Sequence, residues 1–394
     1  MSLLGEYVSK QLTTHQIENE LQKLIGAFNK KMGTDLLVYA TAFKKIPDSM
    51  INQDDYFIIH DILKSVKSKN ICIYVETPGG QGEAVEEIVR CLRTKFEHVS
   101  FFISGEAKSA GTILVLSGDE IYMTESGSLG PIDAQVSIGR MVVSAYDYME
   151  WVDSKRQEAI KNNALNPFDA TMIAQISPGE LNGVNHALQF AQDLIIDWLP
   201  KYKFKDWNET EKSKKPIEYS DKVTRAKEIA SQLVDHSKWR SHGRSIKIDD
   251  LQSLLKINKI DNDPILSDLI YRIQTLIKIL FQTTSVYKVF ATVSEKIFRH
   301  ATPITNIQRS PLPLNLNGPK EVDVVQIQVP CNSCKKMYNF YGKFKNNSNI
   351  DRDLKSKGLL SIIENRRLKC ECGNELELSG IINDIESKAR KKLV

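Results

Sequence analysis

Between Ile71 and Gln135 the chain alternates short apolar runs with helical patterns, and two of those runs end in small residues. I-C-I-Y-V-E closes on Thr77-Pro78-Gly79-Gly80, and V-S-F-F-I-S leads through Gly105-Glu106-Ala107-Lys108 to Ser109-Ala110-Gly111. Strands and helices alternating at these lengths predict βαβ units around a mainly parallel sheet. Right-handed crossovers then bring the strand C-termini, with Gly79, Gly80 and Ser109, to one edge of the sheet. In open α/β folds, functional groups collect at that edge. Glycines without a Cβ let backbone N–H groups approach a ligand closely. A serine hydroxyl where a helix begins, opposite such a corner, is what acyl transfer requires: a nucleophile beside an oxyanion pocket. The N–H groups of Gly80, Gly79 and Ala110 are the candidate oxyanion donors.

The remaining pattern extends this α/β reading. An amphipathic helix is predicted over residues 14–31 and a strand over 35–40. Asp54 and Asp55 open a further helix, as acids in a first turn do. Strands follow at 71–76, 99–104 and 120–124, with helices at 83–96 and from Ser109. Residues 147–201 read as helical, broken at Asn166-Pro167 and restarted by Ser177-Pro178, a cap followed by proline at the first helical position. The highly charged stretch 203–222 reads as a surface loop or an oligomer-contact arm. A helix over 224–234 leads to the loop Lys238-Trp239-Arg240-Ser241-His242-Gly243-Arg244-Ser245-Ile246, and a long apolar-striped helix is expected over 265–289. The predicted organisation is an α/β domain with an N-terminal helix at 1–260, a helical extension at 261–302, a Pro- and Asn-rich linker at 303–320 and a cysteine module with a basic tail at 321–394.

A length of 394 residues accommodates one substantial α/β domain plus smaller modules. A net charge of +4 gives no argument for nucleic acid by itself. No apolar run reaches the roughly 18 residues of a membrane span, so no membrane insertion is expected. The opening M-S-L-L-G-E-Y-V-S-K lacks a secretory pattern, and the expected location is cytoplasmic. Absence of a Gly-x₄-Gly-Lys loop argues against a P-loop ATPase within this chain.

Of six cysteines, Cys72 and Cys91 fall on a strand and a helix and read as inert core thiols. The other four form two close pairs, Cys331/Cys334 and Cys370/Cys372. Four thiolates in such pairs suit tetrahedral zinc with every position filled, a structural site in a zinc-ribbon-like module too small and polar to fold easily without a staple. Basic residues interleaved with Tyr338, Phe340, Tyr341 and Phe344 offer a surface for protein or nucleic-acid partners.

Taken together, T-P-G-G, A-K-S-A-G-T, S-L-G-P-I-D and S-H-G-R-S-I resemble the serine dehydrogenase proteinase family of Clp-fold serine peptidases. That family is distantly related to the Clp protease proteolytic subunit and to signal peptide peptidase A. The resemblance spans roughly residues 10–260 and implies a Clp/crotonase-like core, a polypeptide substrate and assembly as a homo-oligomer, a trimer or hexamer. It matches Ser109 to the nucleophile, Asp133 to the aspartate of G-P-I-D and His242 to the histidine of the S-H motif. The sequence departs from the family at Ala134, where proline is usual, and at Gly243, Arg244 and Ser245. His236 competes with His242 as the base. Lys108 is rotated by about 100° from Ser109 at a helix start, whereas Lys155 and Lys161 remain alternative bases for Ser–Lys chemistry. Two other readings stay open: a catalytically silent scaffold that presents the zinc ribbon, and a crotonase-like enzyme acting on acyl-CoA thioesters.

Overall fold

The computed structural model describes residues 2–43, 46, 49–138, 141–210, 213–301, 324–331, 333–389 and 391–394. Two compact units divide the chain, Met1–Pro303 and Ile304–Val394. The linker expected at 303–320 lies outside the described residues.

The first unit is built on a seven-stranded sheet. Its strands are β1 (Asp35–Thr41), β2 (Asn70–Glu76), β3 (His98–Ile103), β4 (Glu120–Met123), β5 (Asn258–Lys259), β6 (Val286–Ala291) and β7 (Lys296–His300). They lie in the order β7-β6-β1-β2-β3-β4-β5. Strands β1 to β5 run parallel, while β6 is antiparallel to β1 and β7 to β6. Side chains alternate along each strand, and here both faces are buried. Leu37, Tyr39, Ile73 and Phe101 enter one core; Leu36, Val38, Tyr74 and Phe102 enter the other. The first core is covered by helices α2 (Gln53–Ile62), α3 (Gly82–Lys95), α4 (Ala110–Leu116), α6 (Pro178–Lys201) and α7 (Tyr219–Val234). The second is covered by α1 (Thr14–Met32) and α8 (Pro264–Thr283). The result is a three-layer α/β/α arrangement.

Helix ends follow local chemistry. Thr13 and Gln16 form a capping box at the start of α1, and Gly33 closes that helix at φ 70°. Asn52 and Asp55 cap α2 in the same way. Helix α5 (Ala145–Asn162) is capped by Ser144, whose hydroxyl accepts from the Asp147 N–H.

One expectation needs correction. The helix predicted over 265–289 stops at Thr283, and the apolar run after it forms β6. Thr283, Thr284 and Ser285 break the helical pattern, and V-Y-K-V-F-A is rich in strand formers. The charged stretch 203–222 forms no helix or strand before Tyr219 among the described residues, and its start is tied down by lysines. Lys205 ion-pairs Asp119 at 2.7 Å, Lys203 Nζ donates to the Asp119 carbonyl at 3.3 Å, and Lys222 Nζ donates to the Lys205 carbonyl at 2.8 Å.

The second unit holds a sheet of β8 (Val324–Pro330), β9 (Met337–Lys343) and β10 (Leu360–Ser361), and a hairpin of β11 (Arg367–Lys369) and β12 (Glu375–Glu377). Its apolar core is small, centred on Phe340, Ile362, Leu378 and Ile382.

Candidate functional site

A short backbone ladder beyond the C-terminal ends of β2 and β3 gathers the residues singled out in the sequence. Thr77 pairs with Ala107, residues Glu106–Ala107 pair in parallel with Ser128–Leu129, and Leu129 pairs antiparallel with Ile246. The Thr77 N–H donates to the Glu106 carbonyl at 2.7 Å, and the Lys108 N–H donates to the Thr77 carbonyl at 3.0 Å. Reciprocal N–H to carbonyl bonds of 3.0 and 2.9 Å join Leu129 and Ile246. Gly79 and Ser109 each lie two residues beyond this ladder. Asp133 lies four residues past Leu129, and His242 four residues before Ile246.

Ser109 caps α4 with φ 50° and ψ −118°, and its hydroxyl makes no capping bond. A non-glycine residue at such angles stores about 1–3 kcal/mol of strain, which the surroundings must hold in place. Gly79 does part of that holding. A Cβ there would lie 2.7 Å from the Lys108 carbonyl oxygen and 2.8 Å from Ser109 Cβ, so only glycine permits the approach. Gly80 is just as confined, since a Cβ would lie within 2.4 Å of backbone atoms of Ile51. The Gly79 N–H donates to Thr77 Oγ1 at 3.2 Å, which turns that donor away from the pocket role considered for it. Among the described residues, the N–H groups of Gly80 and Ala110 donate to no protein acceptor.

Asp133 is buried, at 2% exposure, with its Oδ2 3.3 Å from Nδ1 of His242. Ser144 donates to Asp133 Oδ1 at 2.7 Å and Gln135 Nε2 donates to Oδ2 at 2.6 Å. Neither Ser144 nor Gln135 was singled out in the sequence. Proximity of Gln135 to G-P-I-D was a signal for it, whereas Ser144 has no local one. His242 is half-exposed, and no hydrogen bond joins it to Ser109 among the described residues. Nδ1 of His242 also lies 3.5 Å from Gln135 Nε2, so the amide and the Asp133 carboxylate share that side of the ring. The loop is anchored at both ends: buried Trp239 donates its indole N–H to the Gln232 carbonyl at 2.7 Å, and buried Ile246 closes the ladder. The side chain of the rival, His236, lies outside the described residues.

Of the lysine alternatives, two are engaged elsewhere and one is exposed. Lys155 ion-pairs Asp169 at 2.7 Å and Glu158 at 2.9 Å, and Lys161 is exposed on α5. Lys108 is buried, and burial holds its ammonium below the usual lysine value. It donates to Ser245 Oγ at 2.8 Å, to the Arg244 carbonyl at 3.0 Å and to the Leu129 carbonyl at 3.3 Å.

In the second unit, the sulfurs of Cys331, Cys334, Cys370 and Cys372 all lie within 4.8 Å of one another. Cys331 and Cys372 are 3.6 Å apart, Cys334 and Cys370 3.5 Å. Zinc–sulfur bonds of about 2.3 Å in a tetrahedron need sulfurs about 3.8 Å apart, so the donor set and its spacing fit that ion. Two turns shape the site, with Lys335 at φ 62° and Gly373 at φ 88°. The N–H of Cys334 brings the Cys331 thiol down to about 6, helped by that of Ser333 against burial. The Tyr338 hydroxyl, 3.1 Å from Cys370 Sγ, lowers the Cys370 thiol first, and the Cys372 N–H adds to this. Both effects favour the thiolate that binds metal, whereas, against the Lys336 N–H, the neighbouring Cys370 and Cys372 sulfurs push the Cys334 thiol up to about 11. Cys72, by contrast, is buried in β2 and pushed up to about 12 by that burial.

The chain is similar to several known proteins. Two uncharacterized proteins of Methanocaldococcus jannaschii align over 84 residues at 32% and 30% identity, in each case 21% of this chain and 29% of the relative. The chain therefore matches under a third of the length of these relatives. Two solved structures of a membrane-bound stomatin-specific protease are also similar. One is a serine-to-alanine variant, at 14% identity and TM-score 0.32, covering 57% of this chain and 79% of that one. The other is a lysine-to-alanine variant with a substrate peptide, at 15% identity and TM-score 0.31, covering 53% and 70%. No helix among the described residues is long and apolar enough to cross a membrane. Residues 43–215 match the family model of ClpP-like SDH-type serine proteinases.

Proposed function

We propose that the first unit is a serine peptidase that cleaves polypeptides through an acyl-enzyme on Ser109. In this reading Ser109 Oγ attacks the peptide carbonyl as its proton passes to Nε2 of His242. Asp133 holds the Nδ1–H and stabilises the imidazolium, while the N–H groups of Gly80 and Ala110 receive the developing oxyanion. The C–N bond then breaks and the amine leaves with the proton from His242. Water, deprotonated by the same imidazole, hydrolyses the ester and restores the serine. The observation that carries the reading is the Asp133–His242 contact of 3.3 Å on the ladder that also fixes Ser109 against Gly79.

Three hydrogen-bond acceptors around Lys108 suit an ammonium rather than a neutral amine waiting for the serine proton, which favours the histidine over that lysine. The test is hydrolysis of a quenched fluorescent peptide library. Wild-type protein is expected to cleave it and Ser109→Ala to lose cleavage entirely. Equal cleavage by the variant excludes Ser109, and silence of both supports the scaffold reading.

The four cysteines of the second unit are proposed to hold one structural zinc ion, with no open position for chemistry. Action in the cytoplasm belongs to the same proposal, as does assembly as a homo-oligomer, the latter by resemblance alone. Freshly purified protein is expected to carry one zinc per chain, and a chelator to expose residues 324–389 to protease. Protein free of zinc and equally resistant contradicts the metal assignment.

A further inference from the structure

We infer that Lys108 is a positioning residue that clamps the His242 loop across the ladder to the nucleophile's own strand end. This inference rests on the serine peptidase reading above. Lys108 immediately precedes Ser109, so any shift of its backbone moves the nucleophile. Its ammonium has three N–H donors, and three acceptors meet them: the Ser245 hydroxyl, the Arg244 carbonyl and the Leu129 carbonyl. Arg244 and Ser245 lie two and three residues from His242; Leu129 lies four residues from Asp133. One side chain therefore connects the segments carrying all three members of the proposed triad. The stem has no freedom either. A Cβ at Gly130 would lie 2.7 Å from Lys108 Cδ, so the chain after Leu129 is packed directly on the lysine methylenes.

The ladder and Trp239 anchor only the ends of this loop. Between them, Ser241, Gly243 and Arg244 are exposed, and Arg240 stands at φ 59°. Without the ammonium, the Arg244 carbonyl and the Ser245 hydroxyl lose this donor, the Leu129 carbonyl keeps only that of Ile246, and the exposed segment has little else to hold it. A buried charge that met no partner would be costly; here its partners are the loop itself. The lysine thus acts through His242 and touches no reacting atom.

The test compares wild type with Lys108→Met and Ser245→Ala, each checked for thermal unfolding. Two readouts are taken: steady-state peptide hydrolysis across pH, and trypsin cleavage after Arg244 mapped by mass in the folded protein. Lys108→Met is expected to lower kcat about 100-fold, the scale of a misplaced catalytic group, with KM little changed and the histidine limb of the pH profile retained. Cleavage after Arg244 is expected to accelerate severalfold. Ser245→Ala, which keeps the ammonium, moves both readouts the same way but less. Unchanged kcat and unchanged Arg244 cleavage in folded Lys108→Met overturn the inference. Loss of the histidine limb in that variant also overturns it, because Lys108 would then be the base. If Lys108→Met fails to fold, unchanged readouts in Ser245→Ala overturn it. Absence of hydrolysis in wild type defeats the peptidase reading instead, and the Arg244 cleavage comparison alone then decides the clamp.

Discussion

Ser109 and the glycine corner are held by backbone, whereas Asp133 and His242 are held mainly by side chains. On the first side, the ends of β2 and β3 are joined by main-chain hydrogen bonds, and Gly79 and Gly80 fit because no methyl group stands between them and Lys108, Ser109 or Ile51. On the second, Asp133 depends on Ser144 and Gln135, and the His242 loop depends on Trp239, Ile246 and Lys108. A backbone-built half has no graded failure: one added atom displaces it. A half built from side chains loses function in steps, one contact at a time. The division suits the proposed chemistry, since oxyanion donors must not reorganise during reaction while a base has to move a proton twice.

Substitutions on the two sides should therefore differ in kind. The largest effect after loss of the nucleophile is expected from Asp133→Asn, which keeps the shape but not the charge facing His242. It should lower kcat about 10⁴-fold with a nearly unchanged melting temperature; near-normal turnover removes Asp133 from the site. Gly79→Ala should cost about 10²–10³-fold through the lost geometry of the oxyanion pocket. It should also lower the melting temperature, because the residue stands at φ 101° and its new methyl meets the Lys108 carbonyl. An active and equally stable Gly79→Ala protein would break the contrast on its rigid side. Ser144→Ala removes one hydrogen bond to a charged group, about 1.5–3 kcal/mol at most. The expected loss in kcat is about 10-fold, smaller than that of Asp133→Asn because Gln135 still holds the carboxylate. A loss as large as that of Asp133→Asn would show that the second side is no more tolerant than the first.

How legible the molecule is from its sequence follows the same line. The parallel strands β1 to β4 are readable because each is a buried apolar run ended by small or polar residues, and α1 and α2 carry their caps in the sequence. The antiparallel strand β6 is misread as the end of α8, since its apolar residues prolong the helical stripe. Its Lys288 is also misleading. That lysine is fully buried and pairs at 2.7 Å with Asp55, 233 residues away, and Tyr39 donates to the same carboxylate at 2.8 Å. No local pattern reveals such a partner. The ladder is invisible for the same reason. Each of its segments is two residues or fewer, too short for any periodicity, and only the folded chain brings residues 77, 107, 129 and 246 side by side. Candidate residues could thus be selected from motifs, but the contacts that orient them, through Ser144 and Lys108, belong to tertiary structure.

The most direct measurement is covalent labelling of the full chain with a fluorophosphonate, with the modified residue mapped by mass. The account predicts a single adduct on Ser109, absent from Ser109→Ala and formed far more slowly in His242→Ala. An adduct on another residue, or labelling of Ser109 that proceeds equally fast without His242, contradicts it.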